Sequence, residues 1–473
     1  MAAVVAGKAA TAVVGLLTIM VLTRHLGPHD FGYYRTVLTY SAFAAVLADL
    51  GLYLVGLREM SRPNADVSRV IGNAFLLRLT STAFVLFVTS LFALLLPYDP
   101  VVKKGVFIGS LIYVGFQGNE FLTGVFQRRM KQGGSAIAEV VGACATLAAV
   151  WVLSQLEAGV IPMLCATLFG AALALGTSWT LARKLIPFRP RFEIQLWRQY
   201  LTAAIPLAGS QILSMAMLRG DTLLLSLLKP AADVGLYGVP TKMFELTTAL
   251  PYMFAGLMMP LLSAAGARAV AGTPSAEFSV LLARALDAML MFGVGAILAL
   301  SIFSPEILEL ISGPEFVGGA PALAILGFAA TLTALSFMMR FALISLDHSR
   351  TVLMADACAC TIALVAYFVL IPRYSLVGAA IGTAIAEGAI LVGMTWGIRR
   401  AGQAFPRCPS APKTILAGAV AAAVIVALNR FEAPWLLALA IGGALYIGLL
   451  ALTGAIPREF VATLFRRTRA RDA

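Results

Sequence analysis

Residues 159–182 read GVIPMLCATLFGAALALGTSWTLA, an apolar run that contains no charged side chain. A helix needs about 20 mainly apolar residues to cross the hydrocarbon core of a bilayer, so this run is long enough to span. Its apolar residues are continuous and do not alternate with a period of two. This pattern favours a transmembrane helix over a strand of a membrane β-barrel.

The rest of the chain has the same character. Of its 473 residues, 60% are hydrophobic and 12% are charged, and the mean hydropathy is +0.90. A soluble domain carries about 25% charged residues, so this composition excludes a water-soluble enzyme and a disordered chain. It predicts an all-α polytopic membrane protein with about 14 transmembrane helices. The fourteen candidate stretches are 3–23, 36–57, 70–96, 105–126, 135–155, 159–182, 201–228, 238–263, 280–304, 320–345, 351–371, 376–398, 414–429 and 434–455.

The distribution of Lys and Arg predicts the orientation. Of the 35 cations, 22 lie in the connections on one side and in the C-terminal tail, seven lie in the opposite connections, and six lie within the stretches. Because cytoplasmic loops are enriched in Lys and Arg, both termini are expected in the cytoplasm. The same rule accounts for the net charge of +12, so no nucleic-acid partner is inferred.

Two halves of the chain resemble each other. Asp30-Phe31-Gly32-Tyr33-Tyr34 matches Asp233-Val234-Gly235-Leu236-Tyr237 at an offset of 203 residues, and Glu139, Trp179 and Arg183 match Asp356, Trp396 and Arg400 at 217. Two parallel six-helix repeats are therefore expected. The predicted organisation is an N-terminal lobe (1–184), an interfacial cytoplasmic linker (185–200), a C-terminal lobe (201–400), and two further helices with a basic tail (401–473).

Motifs of catalysis do not occur in the sequence. The glycine pairs Gly318-Gly319 and Gly442-Gly443 are not followed by Lys-Ser or Lys-Thr, as a phosphate-binding loop requires. The five cysteines form no CxxC motif, and four of them lie inside apolar runs, which is typical of small apolar core residues. We therefore predict neither an enzyme nor a metal site.

Several motifs are similar to those of a known family. They are RHLGPHDFGYY at 24–34, LADLGL at 47–52, Arg58-Glu59, Arg219-Gly220-Asp221, VGLY at 234–237, and the segment from Leu370-Ile371-Pro372 to Gly378-Ala379-Ala380. Together they resemble the polysaccharide biosynthesis flippases of the multidrug/oligosaccharidyl-lipid/polysaccharide (MOP) exporter superfamily, whose relatives include the lipid II flippase and the MATE transporters.

The resemblance implies two six-helix lobes in a V-shaped, alternating-access carrier, followed by two C-terminal helices. It also implies a substrate, an oligosaccharide on an undecaprenyl-type diphosphate, that moves from the inner to the outer leaflet for surface polysaccharide such as O-antigen or lipopolysaccharide. Membrane lipid and a polysaccharide polymerase machinery are the implied partners. No cofactor is expected apart from a coupling ion, H⁺ or Na⁺.

Cations within the bilayer would offset the lost hydration of a diphosphate. Arginine suits this role better than lysine, because its planar guanidinium binds phosphate oxygens in pairs. The candidates are Arg24, Arg35, Arg78, Arg219, Lys242 and Arg340. Interfacial anchoring is the alternative for Arg24 and Arg35, and snorkelling is the alternative for Arg78. For Arg219 the alternative is an ion pair with Asp221. Lys242 can pair with Glu245 at a spacing of i, i+3.

Carboxyl groups within the stretches are candidates for ion coupling. They are Asp49, Glu120, Glu139, Asp221, Glu245, Asp287, Asp356 and Glu387. We select Asp221 first, because the resemblance to lipid II flippases implies a sodium site at an acid of the seventh helix. By motif, Thr383 supplies a second oxygen, but Ala363 and Tyr367 stand where the family's pattern has Asn or Asp. Proton coupling, or Asp356 as a substitute ligand, is the alternative.

Two other functions compete with the flippase hypothesis. A MATE-like, cation-coupled exporter of small organic molecules should have an acidic cavity lined by aromatic residues, whereas the first lobe offers Arg24, Arg35 and Arg78. A membrane-embedded polymerase or scaffold should have one large outer loop. The longest predicted outer connection is about fifteen residues, which favours transport.

Overall fold

The computed structural model describes residues 2–49, 51–60, 66–129, 133–267, 276–403, 408–431 and 433–455. These residues form α-helices, one short 3₁₀ helix and the turns between them, and they include no strand. The all-α prediction is confirmed for this part of the chain. The predicted basic tail falls largely at 456–473, outside the described residues.

The helices follow one another with short connections. They are α1 (Ala2–Asp49), α2 (Leu52–Met60), α3 (Val67–Ala93), α4 (Pro100–Arg128), α5 (Gly133–Gln155), α6 (Val160–Leu185), α7 (Ile194–Leu228), α8 (Ala231–Ala267), α9 (Ala276–Leu300), α10 (Ser304–Ser312), the 3₁₀ helix Pro314–Gly319, α11 (Ala320–Ser345), α12 (Ser349–Arg400), α13 (Ala411–Arg430) and α14 (Trp435–Leu452).

Two of these helices are divided by sharp kinks. In α1, Gly27 has φ 66° and is followed by Pro28. Positive φ is readily adopted by glycine, and proline cannot donate the hydrogen bond that would continue the first helix, so this pair breaks α1. In α12, Pro372 precedes Ser375, which has φ 49°. Each kink falls between two of the predicted apolar stretches.

Ten helical segments of the described residues are long and apolar enough to cross a membrane. The two kinked segments, Ala6–Asp49 and Ser349–Arg400, contain 44 and 52 residues. Each is long enough for two crossings, since one crossing needs about 20 residues. Every predicted stretch lies largely within a helix, whereas the total of fourteen crossings stays a prediction.

The structure differs from the sequence-based boundaries in several places. The predicted stretch 36–57 is not one helix, because α1 ends at Asp49 and α2 begins at Leu52, with Gly51 at φ 86° between them. Helix α7 begins at Ile194, so the second half of the predicted linker is helical. Hydropathy misses this extension because Gln195, Arg198 and Gln199 are polar, although they are good helix formers. The short helix α10 was not predicted, because its nine residues are too few to register as a span.

The chain divides into two compact units. The first comprises Met1–Val239, Glu309–Phe316 and Tyr367–Ala379, and the second comprises Pro240–Leu308, Val317–Ala366 and Ala380–Ala473. These units are defined by spatial contacts and do not coincide with the predicted lobes, whose boundaries remain a proposal based on the sequence repeat.

In the first unit, the linker after α6 is fixed to the start of α3. Phe188 is fully buried between Phe75 and Trp179, with ring centroids 6.3 and 4.9 Å away. The Arg69 guanidinium donates to both carboxylate oxygens of Glu193, at 3.0 Å from Nε. This hydrogen bonding holds the pKa of Glu193 below its usual range, so the ion pair with Arg69 persists to a lower pH than an unpaired glutamate would remain ionised.

In the second unit, α13 and α14 pack against α9 around a shared apolar core. Ala421 and Ile425 of α13 and Ala438 of α14 are fully buried in this core. The hydroxyl of Tyr446 on α14 donates to the carbonyl oxygen of Met291 on α9 at 2.9 Å. The last two helices are therefore integrated into this unit by both burial and a hydrogen bond.

Candidate functional site

The two related segments of the sequence meet in the first unit. A Cβ atom added to Gly32 would lie 1.8 Å from the carbonyl oxygen of Ala231, and one added to Gly235 would lie 1.9 Å from that of Pro28. At the offset of 203, Gly32 corresponds to Gly235 and Pro28 corresponds to Ala231. The contact is therefore reciprocal, as a local two-fold relation between the segments requires.

Arg35 lies beside the same contact. It corresponds to Gly238 at the offset of 203, and a Cβ atom on Gly238 would lie 3.0 Å from the Arg35 Cγ and Nε atoms. Near a two-fold axis, equivalent positions approach each other, so two arginines could not fit there. Glycine in the second segment makes room for the half-buried guanidinium of the first.

Arg24 lies at the end of the first half of α1, three residues before Gly27. Its Nη2 atom donates to the carbonyl oxygen of Leu310 at 2.7 Å, and the side chain is exposed. Among the described residues no carboxylate pairs with Arg24, so its charge is not offset there. A helix-terminal carbonyl is a weak partner that leaves the cation able to bind an anion.

An apolar groove of about 530 Å³ leads away from Arg24 along helices α1 and α5. Its lining residues are Leu17, Met20, Val21 and Arg24 of α1, and Cys144, Leu147, Ala148 and Trp151 of α5. Leu17 and Trp151 are 43% and 58% exposed, so the groove is open at its surface. One cation beside an otherwise apolar groove matches the chemistry of an anionic lipid.

Asp221 is buried where α7 and α8 form a helical hairpin. Its Oδ2 atom accepts a hydrogen bond from the Tyr237 hydroxyl at 2.7 Å, and its Oδ1 atom accepts one from the Thr222 backbone N–H at 2.6 Å. Arg219 also acts on this carboxylate electrostatically. The ion pair of Arg219 with Asp221 stays a prediction, whereas the two hydrogen-bond donors to Asp221 were not predicted from the sequence.

Arg78 is buried in an ion-pair cluster. Its Nε atom lies 3.1 Å from the Asp49 carboxylate, its Nη2 atom lies 2.7 Å from that of Glu120, and Nη2 also donates to Gln117. The side chain is only 1% exposed, so Arg78 does not snorkel to water. Two carboxylates, those of Asp49 and Glu120, neutralise its charge, and in this conformation the side chain links α1, α3 and α4.

Lys242 and Arg340 are also paired with carboxylates, within the second unit. Lys242 Nζ lies 3.2 Å from Glu245 Oε2, which confirms the predicted i, i+3 pair. Arg340 on α11 donates to both oxygens of Asp356 on α12, at 2.5 and 2.7 Å. Asp356 was a candidate ion ligand, and here its two oxygens are occupied by one guanidinium.

Glu387 lies next to this pair. It is half-buried, Thr333 and Ser336 of α11 lie near its carboxyl group, and Arg340 and Asp356 act on it electrostatically. The sequence had placed Glu387 among eight acids without distinguishing it. The available signal was the spacing of Thr333, Ser336 and Arg340, which puts three polar side chains on one face of an otherwise apolar helix.

The residues of the predicted lipid-II-type sodium site belong to different units, so this site stays a prediction. Asp221 belongs to the first unit and Thr383 to the second, and both are buried. Tyr367, which replaces a polar ligand of the family's pattern, is fully buried, and its ring lies 3.9 Å from a Cβ added to Gly220. An aromatic ring therefore occupies the space beside the residue that precedes Asp221.

Solved structures share this fold. The lipid II flippase MurJ in an inward closed conformation matches with a TM-score of 0.83 at 12% identity, covering 98% of this chain and 100% of that one. A multidrug resistance MATE family transporter of the MOP superfamily, in its inward-facing conformation, matches with a TM-score of 0.62 at 16% identity. This match covers 83% of this chain and 94% of that one. An outward-facing conformation of such a transporter matches with a TM-score of 0.52 at 16% identity, covering 84% of this chain and 93% of that one. No curated protein matches the sequence.

The helices and their order therefore define a multi-pass membrane protein with the fold of the MOP superfamily. At these identities the likeness establishes the fold alone. The sequence adds the family. Residues 1–266, more than half of the chain, match the polysaccharide biosynthesis protein family, and the chain belongs to it. The family prediction made from the motif at 24–34 is confirmed.

Proposed function

We propose that the protein is a secondary transporter, a flippase for an oligosaccharide carried on an undecaprenyl-type diphosphate. It moves this lipid from the inner to the outer leaflet of the bacterial cytoplasmic membrane by alternating access, with both termini in the cytoplasm. The product feeds surface polysaccharide biosynthesis, such as O-antigen assembly, and a polymerase machinery receives it. Membership of the polysaccharide biosynthesis family and the fold shared with a lipid II flippase support this proposal.

The observation that carries the proposal is the groove between α1 and α5 with Arg24 beside it. A lipid-linked glycan has a long apolar chain, a diphosphate and a polar sugar chain. The groove offers apolar side chains for the first, and the guanidinium offers paired N–H donors for the second. Arg35 and Arg219 are further candidates, while Arg78, Lys242 and Arg340 require release from their carboxylates before they can bind phosphate.

Ion coupling is proposed at Asp221. Its carboxylate lies between α7 and α8 and accepts a hydrogen bond from Tyr237. Binding or release of Na⁺ or H⁺ at this carboxyl group would therefore alter the packing of the hairpin. Na⁺ and H⁺ are both consistent with a buried carboxyl group, and Thr383 and Asp356 are the candidate residues of the second unit for the same role. The alternative function, MATE-like export of organic cations, is disfavoured by the uncompensated positive charge of Arg24.

Replacing Arg24 with Gln is expected to reduce glycan export at least about tenfold. Hydrogen bonds to a charged group contribute about 1.5–3 kcal/mol, which corresponds to roughly 10- to 100-fold in binding. Arg24→Lys should retain part of the activity, because it keeps the charge and loses the paired donors. The measurement is the amount of surface glycan in cells whose only copy of the gene carries the variant.

The matched control is Lys104→Gln, which removes an exposed cation at the start of α4, on the same predicted side of the membrane. This variant should export glycan normally. The amount of variant protein in the membrane is measured in parallel. Normal export by Arg24→Gln, at normal membrane abundance, would reject the assignment of Arg24 to the diphosphate.

A further inference from the structure

The segment 183–198 joins α6 to α7 and is fixed against the start of α3. The hydroxyl of Ser68 donates to the carbonyl oxygen of Pro187 at 2.7 Å. The backbone N–H of Arg191 donates to the carbonyl oxygen of Gly72 at 3.2 Å. Both hydrogen bonds are made by the backbone of the segment, so its path along the first unit does not depend on its charged side chains.

The single acidic residue of this segment is turned toward α3. Residues 183–198 contain five cations and one acid, Glu193. Both carboxylate oxygens of Glu193 accept from the Nε atom of Arg69 at 3.0 Å, and one of them also accepts from the side-chain amide of Asn73 at 3.1 Å. The charge of Glu193 is therefore neutralised by a residue outside the segment, and the five positive charges of the segment are not balanced within it.

The five cations lie at the surface of the protein. They are Arg183, Lys184, Arg189, Arg191 and Arg198, and all are exposed. The guanidinium of Arg183 lies 5.6 Å from the ring centroid of Trp179, a contact that leaves its charge in place. Among the residues that the structure describes, none of the five forms a salt bridge with a carboxylate. These charges are therefore available to an anionic partner.

Two large apolar side chains lie exposed in the same segment. Phe192 is 64% exposed and Ile194 is 65% exposed, on either side of the inward-turned Glu193. The ring of Trp197 packs edge-on against that of Phe192, with centroids 4.6 Å apart. Large apolar groups beside cations are typical of a surface that lies where lipid headgroups meet acyl chains.

We propose that this surface binds phospholipids whose headgroups carry a net negative charge. The surface, here called the linker face, consists of Arg189, Arg191, Phe192, Ile194 and Arg198. The guanidinium groups bind the lipid phosphate, and the apolar side chains enter the boundary between headgroups and acyl chains. The lipid is a resident of the cytoplasmic leaflet and not the transported molecule, so the inference goes beyond the proposed function.

Charge and apolar exposure together favour a lipid over an acidic protein segment. An acidic peptide would satisfy the charges alone, whereas a lipid layer also accepts Phe192 and Ile194. A zwitterionic lipid accepts the apolar side chains equally well, but it offers no net negative charge to the arginines. The linker face should therefore select among phospholipids by headgroup charge.

Lipid binding to the purified full-length protein in a neutral detergent tests this proposal. Dioctanoyl phosphatidylglycerol and dioctanoyl phosphatidylcholine are titrated separately, and bound lipid is measured by native mass spectrometry. A Lys or Arg at an anionic membrane surface contributes about fivefold to binding. The double variant Arg189→Gln/Arg191→Gln should therefore weaken phosphatidylglycerol binding roughly 25-fold and leave phosphatidylcholine binding unchanged. Arg198→Gln alone should weaken phosphatidylglycerol binding about fivefold.

The matched control is Arg128→Gln/Arg129→Gln, which removes two exposed cations at the end of α4 on the same predicted side of the membrane. The control should bind phosphatidylglycerol as the wild type does, and all variants should unfold at the same temperature without lipid. Unchanged binding by both linker-face variants would overturn the proposal, as would an equal loss in the control. Because no glycan is present, failure here leaves the flippase assignment intact, and failure of glycan export leaves this binding intact.

Discussion

Alanine at position 32 or 235 is expected to destabilise the protein strongly, although alanine is normally the better residue in a helix. In an exposed helix, Gly→Ala stabilises by about 1 kcal/mol. Here the new methyl group would lie 1.8 Å from the Ala231 carbonyl oxygen or 1.9 Å from that of Pro28, and both are backbone atoms that cannot rotate away. Overpacking costs about 1–3 kcal/mol, so the sign of the effect reverses.

The reciprocal contact leads to a second prediction, about the variant that carries both alanines. Once one alanine has separated the two segments, the other enters space that is already open, so the double variant should cost less than the sum of the single variants. Gly15→Ala is the control, because it lies on α1 with no atom within 4 Å of an added Cβ. Thermal unfolding in detergent measures the stability of the wild type, the two single variants, the double variant and the control. Equal stability of Gly32→Ala, Gly235→Ala and Gly15→Ala would contradict the contact.

The second large effect is expected at Arg78. Replacing it with Ala leaves the buried Asp49 carboxylate without its partner, and removing one member of a buried ion pair costs about 3–5 kcal/mol. Arg78→Lys should cost less, because it keeps the charge but cannot reach Asp49, Gln117 and Glu120 together. The measurement is resistance to unfolding in increasing sodium dodecyl sulfate.

A rescue experiment separates this structural role from substrate binding. If the cost arises from the unpaired Asp49, then Arg78→Met combined with Asp49→Leu should recover much of the lost stability, since an apolar pair of similar volume replaces a buried ion pair well. Arg183→Met, which removes an exposed guanidinium over the ring of Trp179, is the control and should cost no more than about 1 kcal/mol. If Arg78→Ala were as stable as the wild type but failed to export glycan, Arg78 would instead be assigned to binding of the transported lipid.

Much of the fold could be predicted, because the physical signal lies along the chain. Continuous apolar runs predict helices wherever they occur, and the breaks at Gly27-Pro28 and Pro372 follow from backbone chemistry. The start of α7 could not be predicted from hydropathy, because Gln195 and Arg198 extend the helix without adding apolar character. Helix α10 is short, and its position depends on contacts such as that of Arg24 with Leu310.

The partners of the site residues could be predicted only where they are close in sequence. Lys242 and Glu245 are three residues apart on one helix, and their pairing was correctly predicted. Arg78 meets Asp49 and Glu120 from other helices, at separations that no periodicity indicates. The same limit applies to Arg340 and Asp356, because the packing of α11 against α12 is a property of the folded chain.

The central claim is that this chain moves a diphosphate-linked glycan across the membrane, and deletion of its gene tests that claim most directly. Lipids extracted from the deletion strain are analysed by mass spectrometry for undecaprenyl-type diphosphates that carry sugars. We predict that a completed lipid-linked oligosaccharide accumulates, that the wild-type gene and Lys104→Gln clear it, and that Arg24→Gln does not. A deletion strain that displays normal surface glycan and accumulates no such lipid would contradict the assignment.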